Sequence, residues 1–260
     1  MHAALRQCEH QVVYFRRVWK AWLATSVLTP VLFLAAIGLG VGHSVDQGQG
    51  GPGAASLGSV RYVAFLAPGL LAATAMQGAA SESLWPVQGG FLWQGFFPAA
   101  AATPLRGVDI VGGWLVWITG RVALSATLFL VVASAFGALV SPWAVLAVPA
   151  AALTGLAFGA PLTAFTATRM TDASFPLIMR FGVLPLFLFS GVFYPVTQLP
   201  AVLRPVIWLT PLWHGVELCR SLTLGTVEPG PSLLHVAVLV AFSAAGLAAG
   251  ARTFSRRLAS

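Results

Sequence analysis

The side chains able to do chemistry are few and scattered along the chain. His214, Glu217 and Arg220 recur at steps of three, so they share one face of a short helix. A polar gate, a headgroup site and a structural polar cluster at an interface all fit that trio. Arg121 stands within an apolar run, where a charge at mid-bilayer costs about 2.5–3.5 kcal/mol. It either snorkels at the cytosolic edge or faces the interior as part of a buried pair or a cargo contact. Ser190 lies in Phe-Ser-Gly without the further glycine of a G-x-S-G loop, and neither H-E-x-x-H nor a paired-aspartate pattern occurs. An intramembrane enzyme is therefore thinly supported. Cys8 and Cys219 are too few for a C-x-x-C site and fall on opposite sides of the topology below, which predicts no disulfide within the chain. His235 reads as an interfacial histidine, and no metal site is expected. With a single lysine, Lys20, there is no G-x-x-x-x-G-K-[S/T] run to cradle phosphates. If ATP drives this protein, another chain binds it.

What must position these residues is a bilayer fold. Of 260 residues, 58% are hydrophobic and 8% charged, against about 45–50% apolar and about 25% charged in a soluble domain. The 27 Gly and 17 Pro are interspersed among Leu, Val, Phe and nine Trp, which excludes a disordered low-complexity chain. A net charge of +7 would suggest nucleic acid in a soluble protein; here the charges are read by position, and no nucleic acid partner is expected.

The reading is an all-α membrane protein with six spans at about 22–41, 62–80, 110–139, 143–167, 175–193 and 233–251. Residues 1–21 alternate apolar and basic positions at helical spacing, an amphipathic interfacial helix carrying Phe15, Arg16, Arg17 and Trp19. Residues 81–109 mix charges, aromatics and prolines and read as a cytoplasmic loop that no helix crosses. A basic tail occupies 252–260. With the N-terminus inside, the cytoplasmic side collects ten basic residues and the other side Arg61, Arg204 and Arg220, so both termini face the cytosol. All seven acids sit at or beyond span ends. Between the fifth and sixth spans, residues 194–231 hold apolar pieces of about 9 to 13 residues cut by Pro195, Pro200, Pro205 and Pro211. At about 1.5 Å per residue they reach less than about 20 Å, too short to cross, so they are expected to re-enter the outer leaflet as a gate. Pro68, Pro149, Pro161 and Pro185 are candidate kinks. The pairs Gly38/Gly42, Gly155/Gly159 and Gly246/Gly250 fit close helix packing, within one subunit or at a dimer seam.

Two stretches, FLFSGVFYPVTQLP (187–200) with PLWHGVELCRSLTLG (211–225), and WQGFFPAAAATPLRGVDIVGG (93–113), resemble the ABC-2 type exporter permeases, in particular the branch with nodulation-factor and drug-resistance permeases. The likeness covers nearly the whole chain. It implies a transport subunit without an ATPase site: two permease copies, a homodimer by preference, form the pathway in the bacterial plasma membrane, and a dimer of separate ATPase subunits binds ATP and Mg. The family's coupling helix would fall near 90–104, with Phe91, Trp93, Gln94, Phe96, Phe97, Pro104 and Arg106 against the ATPase. Its outer gate would include Tyr194, Pro195, Trp208, Pro211, Trp213, His214 and Glu217. The run PAAAA (98–102) departs from the bulkier residues expected there.

Sparse charge along the spans favours an amphipathic cargo: a lipid-linked saccharide, a glycolipid or a hydrophobic drug. The rival reading, an ion-coupled secondary transporter, requires acidic residues within spans.

Overall fold

The computed structural model describes residues 61–259, together with Trp19, Lys20, Ser26, Leu28 and residues 31–36. Phe15, Arg16, Arg17, Cys8, the Gly38/Gly42 pair and most of the expected first span lie outside the described residues. Trp19 and Lys20 are helical and exposed.

Among the described residues the chain is helical and has no strand. Helix α1 is Tyr62–Leu92, α2 Phe96–Ala101 and α3 Gly107–Ala135; a 3-10 turn at Pro142–Leu146 leads into α4, Ala147–Thr166. Helix α5 is Phe175–Phe189, α6 Arg204–Trp208, α7 Pro211–Leu224 and α8 Pro229–Ala259. Four stretches are long and apolar enough to cross a membrane: α1, α3, Pro142–Thr166 and α8. This is a membrane protein. At 15 residues α5 measures about 22 Å. It is shorter than the expected 175–193, because the chain bends from Ser190 onwards.

Helix α1 is the axis of the bundle. Its apolar window is 83% buried, against 28% for α3 and for α8, and it packs on α4 and α7 while α8 packs on α4 and α3. Small residues permit these approaches. Gly155 and Gly159 of α4 face Ala79 of α1 and the Val122 and Ile118 side chains of α3, and Gly250 of α8 faces Val111. Both pairs thus pack helices within one chain.

The boundary at 81–109 differs from expectation. Helix α1 continues through 81–92, with Pro86 inside it, because Leu84, Val87 and Phe91 extend its buried face past the charged and proline-containing text. Burial outweighs the local breaker. Only 93–106 remains as a link, and it holds α2. At the other limit, α8 runs helical to Ala259, so 252–259 continue the last long helix. Pro185 follows a π turn at Met179–Val183 inside α5, whose wider backbone accommodates the missing N–H.

Contacts between helix ends define two poles. Arg257 Nη1 donates to the carbonyls of Thr166 and Ala167 at 3.1 and 3.3 Å, and Gly107 abuts Ser255. At the opposite pole the Val140 and Ser141 amides donate to the Thr223 carbonyl, and Gly137 faces Arg61.

Candidate functional site

At the Arg257 pole, the aromatic residues expected to face a partner split into two groups. Phe97 is fully buried and Phe91 nearly so. Phe97 sits 4.7 Å from Phe91, 4.0 Å from Phe96, 5.6 Å from Trp114 and 5.1 Å from Phe254, ring centre to ring centre. Phe96 is half-buried against Trp114. Helix α2 is thus fastened to α1, α3 and α8 by packed rings, Phe97 tilted against Phe91 and edge-on to Trp114 and Phe254, each such pair worth about 0.5–1.5 kcal/mol beyond its burial. The Arg257 guanidinium lies 4.0 Å over Phe91 while bonding the last carbonyls of α4, where a cation also complements the helix dipole. What remains outward is Leu92, Trp93 at 72% exposure, Gln94, Pro104 and Arg106, with Pro98 and Ala99 as the smooth outer side of α2. An amphipathic helix of six residues presents one face only, and periodicity alone does not say which neighbour takes it. Asp109 Oδ2 accepts the Arg106 amide at 3.1 Å and so starts α3.

At the opposite pole, the 194–231 segment contains a 3-10 turn at Val196–Gln198, α6 and α7, the last two about 8 and 21 Å long. Pro205 and Pro211 open α6 and α7, where a missing N–H costs nothing. Tyr194 and Trp213 pack on Val196, Leu199 and Ile207 as a small satellite core. Pro195 caps the 3-10 turn, and Trp208 stays half exposed, 6.3 Å from Trp213. His214 meets His235 of α8, Nδ1 to Nδ1, at 2.8 Å, with Trp213 against both rings. One imidazole must donate and the other accept, so two imidazolium rings do not fit. Glu217 accepts from Arg220 at 2.7 Å, Arg220 Nη2 donates to the Gly191 carbonyl at 2.6 Å, and the guanidinium lies 4.0 Å from the Phe65 ring. Arg220 thereby ties α7 to the 190–194 bend and to α1. His235 is the residue that sequence reasoning left isolated; twenty-one positions separate it from its partner, and no spacing rule links them.

Arg121 is paired. Its Nη1 bonds Glu82 Oε1 of α1 at 2.5 Å, and both side chains are about four-fifths buried. Glu82 therefore lies within α1, because that helix extends through 81–92. The general rule that an intramembrane charge requires a partner points to this pair, since Glu82 is the acid nearest in sequence to α3 on its N-terminal side. Among the described residues no group of three His, Cys, Asp or Glu side chains meets to hold a metal, and Cys219 is a buried free thiol.

The ABC-2 type transporter family matches residues 9–224 of this chain. The chain belongs to that family. Among curated relatives, nodulation protein J of Sinorhizobium fredii (strain NBRC 101917 / NGR234) is 30% identical over 257 residues, 96% of this chain and 94% of that one. Nodulation protein J of Rhizobium leguminosarum bv. trifolii is 32% identical over 223 residues, 82% and 81% of the two chains. That of Rhizobium meliloti (strain 1021) is 28% identical over 258 residues, 95% and 93%. As an ABC-2 permease the chain is a membrane transport subunit, and its family implies an ATPase on a partner chain. The stretches that carried the resemblance in the sequence form both poles of this permease: 93–113 builds the α2 link and 187–225 the α5 end, α6 and α7.

Proposed function

We propose that this permease is one of two copies forming the pathway of an ATP-driven exporter, which moves an amphipathic cargo across a bacterial plasma membrane. The observation that carries the reading is the family match over 9–224, in a chain whose own sequence has no phosphate-cradling loop. Arg106, Arg169, Arg252, Arg256 and Arg257 gather toward one pole and Arg61, Arg204 and Arg220 toward the other. By the positive-inside rule the first pole is cytosolic. The ATPase then docks on Leu92, Trp93, Gln94, Pro104 and Arg106, with ATP and Mg bound on that partner. Six spans with both termini inside, α6 and α7 re-entering from the outer face, and an interfacial N-terminal helix complete the topology.

Mechanically, a permease makes and breaks no bonds. It needs two packed states separated by a few kcal/mol, between which ATPase and cargo choose by differential contacts. The rigid unit is the ring cluster around Phe97: a push on Trp93 reaches α1, α3 and α8 through it, and α4 through Arg257. The outer elements, held by the His214–His235 contact and by Arg220, are those whose rearrangement opens the far side. Affinity purification of the full chain in mild detergent, with identification of copurifying chains and an ATPase assay, tests the proposal. A copurifying ATPase whose turnover drives cargo uptake into vesicles is expected; uphill transport by this chain alone overturns it.

A further inference from the structure

At the pole opposite Arg257, the last long helix is held by very little. Between Pro229 and Val240 of α8 the buried residues are His235 and Leu239, while Leu233 and Leu234 are 71% and 59% exposed. His235 meets His214 of α7 nitrogen to nitrogen at 2.8 Å, and among the described residues this is the side-chain hydrogen bond that joins the two helices. Helix α7 has other holds. Arg220 ties it to the Gly191 carbonyl and to Phe65, and Gly215 is seated so closely on α4 that a Cβ there would strike the Thr154 side chain. Breaking the histidine contact therefore frees the end of α8 and leaves α7 in place.

Proton count decides whether that contact exists. With both rings neutral, one Nδ1–H donates to the other Nδ1. A first added proton goes to the far nitrogen of the donor ring, which still donates. A second must go to the accepting nitrogen, and two charged rings then present N–H to N–H across 2.8 Å. The ionisable neighbours do not offset that charge. On α7, Glu217 is engaged by Arg220 at 2.7 Å, and Cys219 is a buried thiol. Arg204 of α6 is bound to the carbonyls of Thr197 and Leu199. Helix α4 and the 3-10 turn before it carry no ionisable side chain. Arg61 and Tyr62 start α1, the Tyr62 hydroxyl donating to the Phe193 carbonyl, and Tyr194 packs in the satellite core with Trp213. On the α8 side, Glu228 is exposed ahead of the helix, seven positions before His235. Water reaches this level, since Glu217, one turn from His214, is one-third exposed. Burial, and after it the His235 ring, hold His214 below the ordinary histidine value of about 6.5, against the pull of the Trp208 carbonyl. A released ring takes up its proton near the ordinary value. The closed contact is thus complete above that pH and is lost as pH falls from there through the depressed one.

We infer that His214 and His235 form a proton-operated latch: neutral rings fasten the end of α8 to α7, and acidification on that side of the membrane releases it. Helix α8 joins the ring cluster of the other pole through Phe254, so the latch sets the freedom of a helix that reaches both poles. The latch depends on neither the cargo nor the ATPase and goes beyond the transport reading.

The test follows the end of α8 directly. The full chain, carrying Cys8→Ser and Cys219→Ala, is spin-labelled at Leu234→Cys and Val145→Cys, both exposed positions, and placed in lipid nanodiscs. The distance between the labels, which joins α8 to the turn before α4, is read from about pH 8 down to about pH 5, the range in which histidine changes charge. It is expected to lengthen and broaden on acidification. His235→Gln keeps a donor and an acceptor for His214 but brings no second charge, so its distance should be the same at both limits. The double variant His214→Phe with His235→Phe keeps two rings in place, has nothing to titrate there, and should also give one pH-independent distance. Glu217→Gln should retain the full response, which separates the imidazoles from the nearby carboxylate. An unchanged distance in the parent, the same lengthening in His235→Gln or in the double variant, or a response lost in Glu217→Gln overturns the inference.

Discussion

Gly246 of α8 lies directly against Pro161 of α4: a Cβ added at Gly246 would stand 2.5 Å from the Pro161 nitrogen. The backbone nitrogen of a proline inside a helix has no hydrogen to donate, so the neighbouring helix approaches it closely. Gly246→Val should separate α8 from α4 and lower the fraction of chain that elutes as a single species after mild heating in detergent. Overpacking of this kind costs about 1–3 kcal/mol. Gly112→Ala, with nothing within 4 Å of its Cβ, should behave as the parent in the same measurement.

Phe97 and Trp93 belong to the same link but should fail differently. Phe97→Ala removes a fully buried ring with four aromatic neighbours, a change that costs about 3–5 kcal/mol in well-packed cores. A large drop in thermal stability is expected. Trp93→Ala removes an exposed ring and should leave stability intact while lowering transport per ATP hydrolysed in the reconstituted complex. Normal coupling in Trp93→Ala would move the docking surface elsewhere.

Arg220→Leu strands two acceptors of unequal worth. The Gly191 carbonyl loses its side-chain donor in a buried setting, about 1–3 kcal/mol. Glu217, one-third exposed, recovers water and contributes less. Glu217→Gln should accordingly destabilise the chain less than Arg220→Leu, as read by unfolding midpoints of the two variants; the reverse order would remove Arg220 as the tie between α7 and the 190–194 bend.

His214 and His235 should be energetically coupled although 21 residues apart. His214→Phe and His235→Phe each break the same hydrogen bond, so the double variant should cost less than the two singles combined, by about 0.5–1.5 kcal/mol. Additive costs in that double-mutant cycle would show that the rings do not share a bond.

The outer segment shows how far the sequence reached toward the site. A short piece beginning at proline was legible at 211, because a proline ring fixes its own backbone angle and lacks a donor whatever surrounds it. The partners of Arg220 and His214 were not, since Gly191 and His235 become neighbours only through packing.

By itself the sequence determined the solvent and the helical class: so few charges and so many apolar residues require a bilayer, and apolar runs of about 20 residues fit helices there rather than the shorter strands of a closed barrel, because backbone groups have no water to bond. Its motifs also sufficed to place the chain among the ABC-2 permeases. Tertiary structure alone decided which face of each helix is inside. It turned Phe91 and Phe97 from an outward surface into an internal brace, carried α1 past Pro86, and set Glu82 beside Arg121 from 39 positions away. The physical reason is that in an apolar chain hydrophobicity no longer distinguishes inside from outside. Facing is then settled by shape and by the pairing of the few polar groups, which are properties of the assembled bundle.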